Sequence, residues 1–447
     1  MNQLVAEIDR RPLSWLQIGV VLLSSLVALI DGYDLALIAF AVPSIAASWK
    51  IEPHQFAYVM AAAHIGIVPG SMLLAPMADR VGRKPVIVIS LLAAGLFTLG
   101  TVLATDLIHL FACRLMVGVA LGACLPTAYA LTSDYLPARR RAALLTLMFC
   151  NIAVGGAIGG MLTPVLTAAF GWRGLFVFGG LLAVSVAAVV TWLLPESVHF
   201  LARHRPNDRR LGMILARIAP GFQLGRDRTD GAFSNAPLTT SAIAIWRAPY
   251  AAAAGLLCAL SVLNCLVLNL LVAWLPVLLS RTGWTSSASS GGGVMLQIGS
   301  VLGGLGLSFL IDLGLGRLVV TGAFLTLAVG LGAFLIVPSD PLMWGVLLVL
   351  VGSVTGGSQF ILNAVTASIF PSPLLAAAIG AVGAAGRAGA IVGPLVGGML
   401  IASGYGAATI LATLVPAAVV CVFISLRLNL GRIGQPGAPP ASMPGTA

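Results

Sequence analysis

Two aspartates stand three residues apart in the segment LIDGYDLALIAFA, Leu29 to Ala41, inside a run that is almost wholly apolar from Trp15 to Trp49. Of the fourteen Asp and Glu in the chain, twelve fall in polar segments or at the ends of apolar runs, and only Asp31 and Asp34 lie deep within one. Two arginines are placed the same way, Arg114 and Arg387. Desolvation favours the protonated form of a carboxyl in an apolar cleft, and a neighbouring arginine favours the ionised form. A carboxyl that switches between those surroundings can therefore carry a proton. An internal guanidinium has two uses: to pair with such a carboxyl, or to hold an anionic ligand bidentately through its planar fork. The sequence leaves open which arginine does which, and a static ion pair that only ties helices together is the bland alternative for each. Helical spacing puts the two carboxyls on one face, about 4.5 Å apart along the axis, so one wet cavity can serve both.

Uncharged polar residues in apolar runs form a second tier. His64 is either a proton relay or a hydrogen-bonding core residue. Asn264, Asn269, Gln297, Gln359 and Asn363 are candidates to line a cavity. Gln359 and Asn363, four apart on one helical face, are the foremost ligand candidates among them, and for the others an interhelical hydrogen bond is the simpler role.

The elements that must hold these groups are membrane helices. The 447 residues are 59% hydrophobic and 9% charged, too few charges to clothe a water-soluble surface. Apolar runs long enough to cross a hydrocarbon layer of roughly 30 Å recur along the chain. Twelve are counted: 15–47, 54–77, 86–104, 107–131, 141–168, 173–194, 248–279, 286–310, 318–337, 342–366, 374–402 and 406–427. The first is too long for a signal peptide and lacks the small-residue cleavage site, so it is expected to be retained. In such a span each unpaired charge costs at least about 2.5–3.5 kcal/mol, and the default reading of Asp31, Asp34, Arg114 and Arg387 is functional. An alternative in which Asp31–Gly32 breaks the first run into two short helices leaves each half too short to cross and upsets the parity of loop charge.

With both termini placed in the cytoplasm, 19 of the 24 Lys and Arg fall on the inner side and only Lys50, Arg173 and Arg281 outside. That asymmetry is what the positive-inside rule requires, and it accounts for most of the net charge of +10. No folded basic module remains to bind nucleic acid. The six cysteines all lie in predicted spans, without a CxxC pair, and read as small apolar packing residues. Glycines at four-residue spacing, such as Gly155/Gly159, Gly299/Gly303 and Gly393/Gly397, read as close-packing positions between helices.

The polar stretch 195–247 divides six spans from six, with one short surface helix expected near Leu211 to Ile218. The expected organisation is an N-terminal six-helix bundle, 1–194, a cytoplasmic linker, 195–247, a C-terminal six-helix bundle, 248–428, and a disordered cytoplasmic tail, 429–447. An internal echo supports duplication: ADRVGRK at Ala78 to Lys84 follows span 2, and IDLGLGR at Ile311 to Arg317 follows span 8. Metal-ligand spacing, a phosphate loop and a nucleophile elbow are all missing, so no enzyme site and no cofactor are expected and energy must come from an ion gradient.

These residues resemble a known family. Twelve spans in two halves, with ADRVGRK after span 2, DYLPARRRA after span 4 and LPESVHFL after span 6, resemble the major facilitator superfamily over nearly the whole chain. DGYD in span 1, WLP at Trp274 to Pro276 and GRAGAIVGP at Gly386 to Pro394 are similar to its aromatic acid:proton symporters. The resemblance implies an all-α fold of two pseudo-symmetric bundles that imports a benzoate- or hydroxybenzoate-like anion with protons by alternating access. It implies that Asp31 and Asp34 are the essential carboxyl pair, that Arg114 and Arg387 are the membrane arginines, and that Asp79, Arg80, Gly82 and Arg83 form a cytoplasmic gate. Asp312 and Arg317 are the second-half counterparts of that gate. Tyr33, His64, Asn151, Asn269 and Trp274 complete the candidate substrate contacts, with Gln359 and Asn363 on ring substituents. Ala75 departs from the usual glycine that begins the loop motif, Asn151 replaces an expected small residue, and SPLLAAAIG at Ser372 to Gly380 lacks an arginine.

The expected protein is thus a monomeric, multi-pass inner-membrane symporter of a small aromatic carboxylate, with protons and lipid as its other partners. A proton-driven exporter on the same fold and a non-transporting membrane sensor are the rival readings.

Overall fold

The computed structural model describes residues 11–205, 208–218, 243–247, 249–313 and 316–428, with the backbone alone at 312, 372, 373 and 376. The expected tail, 429–447, and most of the linker beyond Ile218 lie outside these residues. The described chain is helical throughout, and eleven of its helices are long and apolar enough to cross a membrane.

Span 1 is Trp15–Trp49, span 2 Ala57–Leu73 after a single turn at Pro53–Phe56, span 3 Arg83–Gly100 and span 4 Leu107–Tyr135. Spans 5 and 6 form one run, Ala138–Leu193, of 56 residues that is broken at Gly171, where φ is 64°. Unbroken, it would be about 84 Å long, far more than one crossing needs, and this run supplies two of the twelve crossings expected from sequence. In the second half, span 7 is Ala251–Arg281, span 8 Ser286–Asp312, span 9 Gly316–Ala333, span 10 Pro341–Ile369 and span 11 Ser372–Ala402. Span 12 is made of Ala407–Ala412 and Val415–Arg427.

Several polar residues at span ends serve local purposes. Asp106 accepts the backbone N–H of His109, and Asp340 accepts those of Leu342 and Met343, so each caps the helix that follows it. Such a cap satisfies donors the helix cannot, and is worth about 1 kcal/mol. In the linker, Arg209–Ile218 is helical as expected, but it is docked rather than free on the surface. Its Leu211, Ile214, Leu215 and Ile218 are buried in one apolar cluster with Leu194, Val198 and Leu201.

The chain divides into two compact units. The first comprises Met1–Leu35, Ala62–Gly155 and Arg173–Asn235; the second comprises Ala36–Ala61, Gly156–Trp172 and Ala236–Ala447. In the first, span 1 runs unbroken through Asp31–Gly32, and Gly32 has a packing role: a Cβ there would collide with the backbone of Ile152 on span 5. The glycine in DGYD therefore lets two backbones touch, the small-residue packing that lipid favours. In the second unit, span 7 packs on span 11, span 8 on span 10 and span 9 on span 12. Gly299 and Gly303 lie against the backbone of span 10 at Val349 and Ser353, the close-packing role their spacing predicts.

Candidate functional site

The geometry of the first unit centres on Asp34. It is buried, and its carboxylate is paired with Arg114, whose Nη2 also reaches the Asp34 backbone oxygen at 3.3 Å. Thr98 on span 3 donates to the other carboxylate oxygen at 2.7 Å. The Arg114 guanidinium is 0% exposed and lies 6.0 Å from the ring centroid of Phe176. Its Nε and Nη1 have no hydrogen-bond partner among the described residues. One guanidinium thus neutralises one carboxylate in a water-poor setting and is itself incompletely satisfied, which makes Asp34 its dominant partner. Thr98 carries no signal in sequence that separates it from Ser90 and Thr101, the other hydroxyls of the same apolar run.

Asp31 is also buried, one turn away, and its charge acts on Cys124 and Tyr129 of span 4. Spans 1 and 4 run in opposite directions under the expected topology, so Asp34 meets the early part of span 4 and Asp31 its later part. Tyr33, between them, is buried, with its hydroxyl directed to the Leu175 carbonyl at 3.4 Å and its ring 6.0 Å from Phe178. His64 is half-buried on span 2. Asn151 is half-buried and bonds back to the Leu147 carbonyl of its own helix at 2.9 Å.

Arg387, in the second unit, is in a different state. It is half-buried, and no hydrogen bond or ion pair to it is found among the described residues. Its charge acts on Cys265, which in turn accepts a hydrogen bond from the Gln359 amide at 2.8 Å. Cys265 therefore does more than fill space: sequence reasoning treated it as packing, and the structure makes it the group that holds Gln359. Asn363, a turn beyond Gln359, is exposed. Asn269 bonds back to the Cys265 carbonyl of its own helix at 2.8 Å, whereas Asn264 donates to the Thr355 carbonyl at 3.1 Å and ties span 7 to span 10. Trp274 is buried and donates to the Pro394 carbonyl at 2.8 Å, which fixes span 7 to span 11.

The loop motif after span 2 is only partly engaged. Gly82 has φ 115°, and a Cβ there would come within 2.5 Å of the Glu196 carboxylate, so this position needs glycine on both counts. Glu196 Oε1 accepts the N–H groups of Arg83 at 2.9 Å and Lys84 at 3.2 Å, an anion set on the N-terminus of span 3. Arg83 is paired with Asp134 and reaches the Ala130 carbonyl at 2.8 Å. Ser197 bonds the same carboxylate, and His199 Nδ1 lies 3.0 Å from its other oxygen. Asp79 and Arg80 are exposed. Asp134, Glu196, Ser197 and His199 are thus part of this junction though sequence reasoning passed over them; the signal was their place at the ends of DYLP and LPES. In the second half, Arg317 is exposed and touches the Leu426 carbonyl at 3.5 Å; the Asp312 side chain lies outside the described residues.

Comparison with known proteins places this arrangement. Residues 24–364 match the model of the Major Facilitator Superfamily. The chain is 31% identical over 432 residues to the 4-hydroxybenzoate transporter of Acinetobacter baylyi, covering 94% of this chain and 93% of that one. It is 31% identical over 405 residues to the gallate transporter of Pseudomonas putida, 89% of each. At 27% identity over 417 residues it also matches the benzoate transport protein of Acinetobacter baylyi, 90% of this chain and 86% of that one. Among solved structures, the xylose transporter XylE from E. coli in its inward open conformation superposes with a TM-score of 0.72 at 17% identity, covering 92% of this chain and 96% of that one. Helix count, loop motifs, family match and near full-length relatives agree, and this chain belongs to the major facilitator superfamily.

Proposed function

We propose that this multi-pass membrane protein imports a small aromatic carboxylate together with protons. The observation that carries the reading is the contrast between its internal arginines: Arg114 is buried on an acid, whereas Arg387 is half-buried with no acid on it among the described residues. A symporter of an organic anion needs both states, one cation to control a titrating carboxyl and one to receive the anion. Relatives named as transporters of 4-hydroxybenzoate, gallate and benzoate supply the substrate class.

Asp34 is the proton switch in this reading. Ionised, it holds Arg114 and accepts from Thr98; protonated, it loses the charge that binds the guanidinium, and spans 1 and 4 are released to shift. Arg387 receives the substrate carboxylate, for which its planar fork is suited. Gln359 donates to a thiol, a weak acceptor, and a ligand oxygen readily takes its place. The inner bacterial membrane, cytoplasmic termini, a monomeric state and dependence on a proton gradient without any cofactor belong to the same proposal.

The test is uptake of labelled 4-hydroxybenzoate into vesicles under an imposed pH gradient. Wild type is expected to accumulate it uphill; Asp34→Asn is expected to equilibrate it and no more. Uphill accumulation by Asp34→Asn removes the assigned proton role, and absence of flux in wild type removes the substrate class.

A further inference from the structure

Gly155 and Gly156 are neighbours on span 5 with unlike surroundings. A Cβ at Gly155 would collide with the backbone of span 1 at Leu29 and Tyr33, whereas one at Gly156 would meet the amide tip of Gln297 on span 8. One turn further on, a Cβ at Gly160 would come 2.8 Å from the Phe40 ring, and a Cβ at Gly293 on span 8 would come 2.8 Å from the same ring. Phe40, 5% exposed, is thus held between two glycines from different helices. Phe40, Gly156, Gly160, Gly293 and Gln297 all belong to the second compact unit. The space left beside the ring, with Ala36, Val272 and Leu275 in its walls, is about 10 Å³. That is the lower limit for one water, and the mainly apolar walls give a water too few partners, so the contact is dry. In sequence, Gly156 and Gly160 are one more pair at four-residue spacing, and nothing marks them as receiving side chains.

We infer that Phe40 is the outer seal of the transport path: seated between Gly160 and Gly293 it closes the route, and its withdrawal opens it. The inference rests on the transport reading above and names the side chain that gates it. Alternating access requires first-half and second-half helices to part on one face of the membrane while they close on the other. Phe40, Gly160 and Gly293 come from spans 1, 5 and 8, so the socket joins the two halves of the sequence, and all three lie in the part of their spans that the proposed topology turns outward. The kind of contact differs as well. Within each half, glycines bring backbones together: Gly155 joins span 5 to span 1, and Gly389 and Gly393 join span 11 to span 7. A backbone contact of that kind is broken only by moving a whole helix away. At Gly156, Gly160 and Gly293 the nearest atoms are side-chain ends instead. A ring leaves such a socket by turning to another staggered rotamer as the helices separate. The seal holds no charge and works by volume, so too small a ring and too small a socket both open it.

The experiment uses Val272→Cys, which puts a thiol in the wall of the same cavity without adding bulk. Its reaction with a charged, membrane-impermeant methanethiosulfonate, added outside to right-side-out vesicles, is followed against the protein that keeps Val272. With Phe40 in place, labelling is expected to be slow. Phe40→Ala removes the ring and Gly293→Ala pushes it from the socket. Each, added to Val272→Cys, is expected to raise the labelling rate about tenfold, the change that about 1.4 kcal/mol in a closed-to-open equilibrium produces. Because one variant deletes volume and the other adds it, either alone suffices if its counterpart fails to fold. Gly345→Ala on span 10, where a Cβ would meet nothing beyond its own helix closer than Met295 at 3.9 Å, should leave the rate unchanged. A rate already fast with Phe40 and Gly293 intact, a rate unchanged by folded Phe40→Ala or Gly293→Ala, or an equal rise in Gly345→Ala overturns the seal while the transport reading stands. Absence of substrate flux in wild type removes the transport reading, and the inference with it.

Discussion

Arg114 and Arg387 are the same residue type in similar apolar runs, yet each has a different setting. In the first compact unit, Arg114 is sealed on Asp34, with Thr98 completing the carboxylate and Phe176 near the guanidinium. In the second, Arg387 is half-buried, its charge acting on a thiol rather than an acid. The difference follows from what stands opposite. A cation removed from water needs a compensating charge, or else it keeps a route to water or to a ligand. Arg114 has that charge within the protein, and its removal is a structural event. Arg387 lacks it among the described residues, and its removal is expected to be a binding event.

The contrast can be broken most directly at Asp34. Asp34→Ala leaves a buried arginine unpaired and is expected to cost about 3–5 kcal/mol. The check is thermal unfolding in detergent, and the double variant Asp34→Ala with Arg114→Gln should recover most of the loss; additive single effects would deny the coupling. Next in size, Arg387→Gln should weaken carboxylate binding about ten- to hundredfold, the range for losing a charge-assisted hydrogen bond, while stability moves by about 0.5 kcal/mol or less. Calorimetric titration beside a melting curve decides this, and a large fall in stability would erase the distinction between the two arginines. Gly32→Ala presses span 5 away from span 1 and should destabilise by about 1–3 kcal/mol, as overpacking does. Its effect belongs to the Asp34 region, so affinity lost through Arg387 should be unchanged in a Gly32→Ala background. The smallest effect is expected at Cys265. Cys265→Ala releases the Gln359 amide from a weak acceptor and should raise carboxylate affinity by about twofold, near the lower limit for a neutral hydrogen bond. A marked loss of affinity would make the thiol a ligand group rather than a placeholder.

Much of the architecture is legible before any coordinate is known, because crossing a bilayer imposes length and apolarity on every helix. The span boundaries differ from the observed helices by a few residues, and the break between spans 5 and 6 falls at Gly171, inside the short gap expected between 168 and 173. The anomalous charges are equally legible, since lipid makes each one expensive. Pairing is not. Asp34 and Arg114 are 80 positions apart, and nothing in either segment says that this acid, rather than Asp31, takes the guanidinium. The loop motif shows the same limit. Its Gly82 and Arg83 are engaged, but the acids that engage them, Glu196 and Asp134, come from segments 113 and 51 residues after Arg83.

Sequence alone determined that this is a twelve-span chain with two carboxyls and two arginines deep in its spans, because hydrophobic length and the cost of a charge in lipid are local properties of each segment. Tertiary structure decided which of those groups are paired with one another and why a glycine follows Asp31. Those facts depend on which faces of distant helices meet. No single segment encodes them.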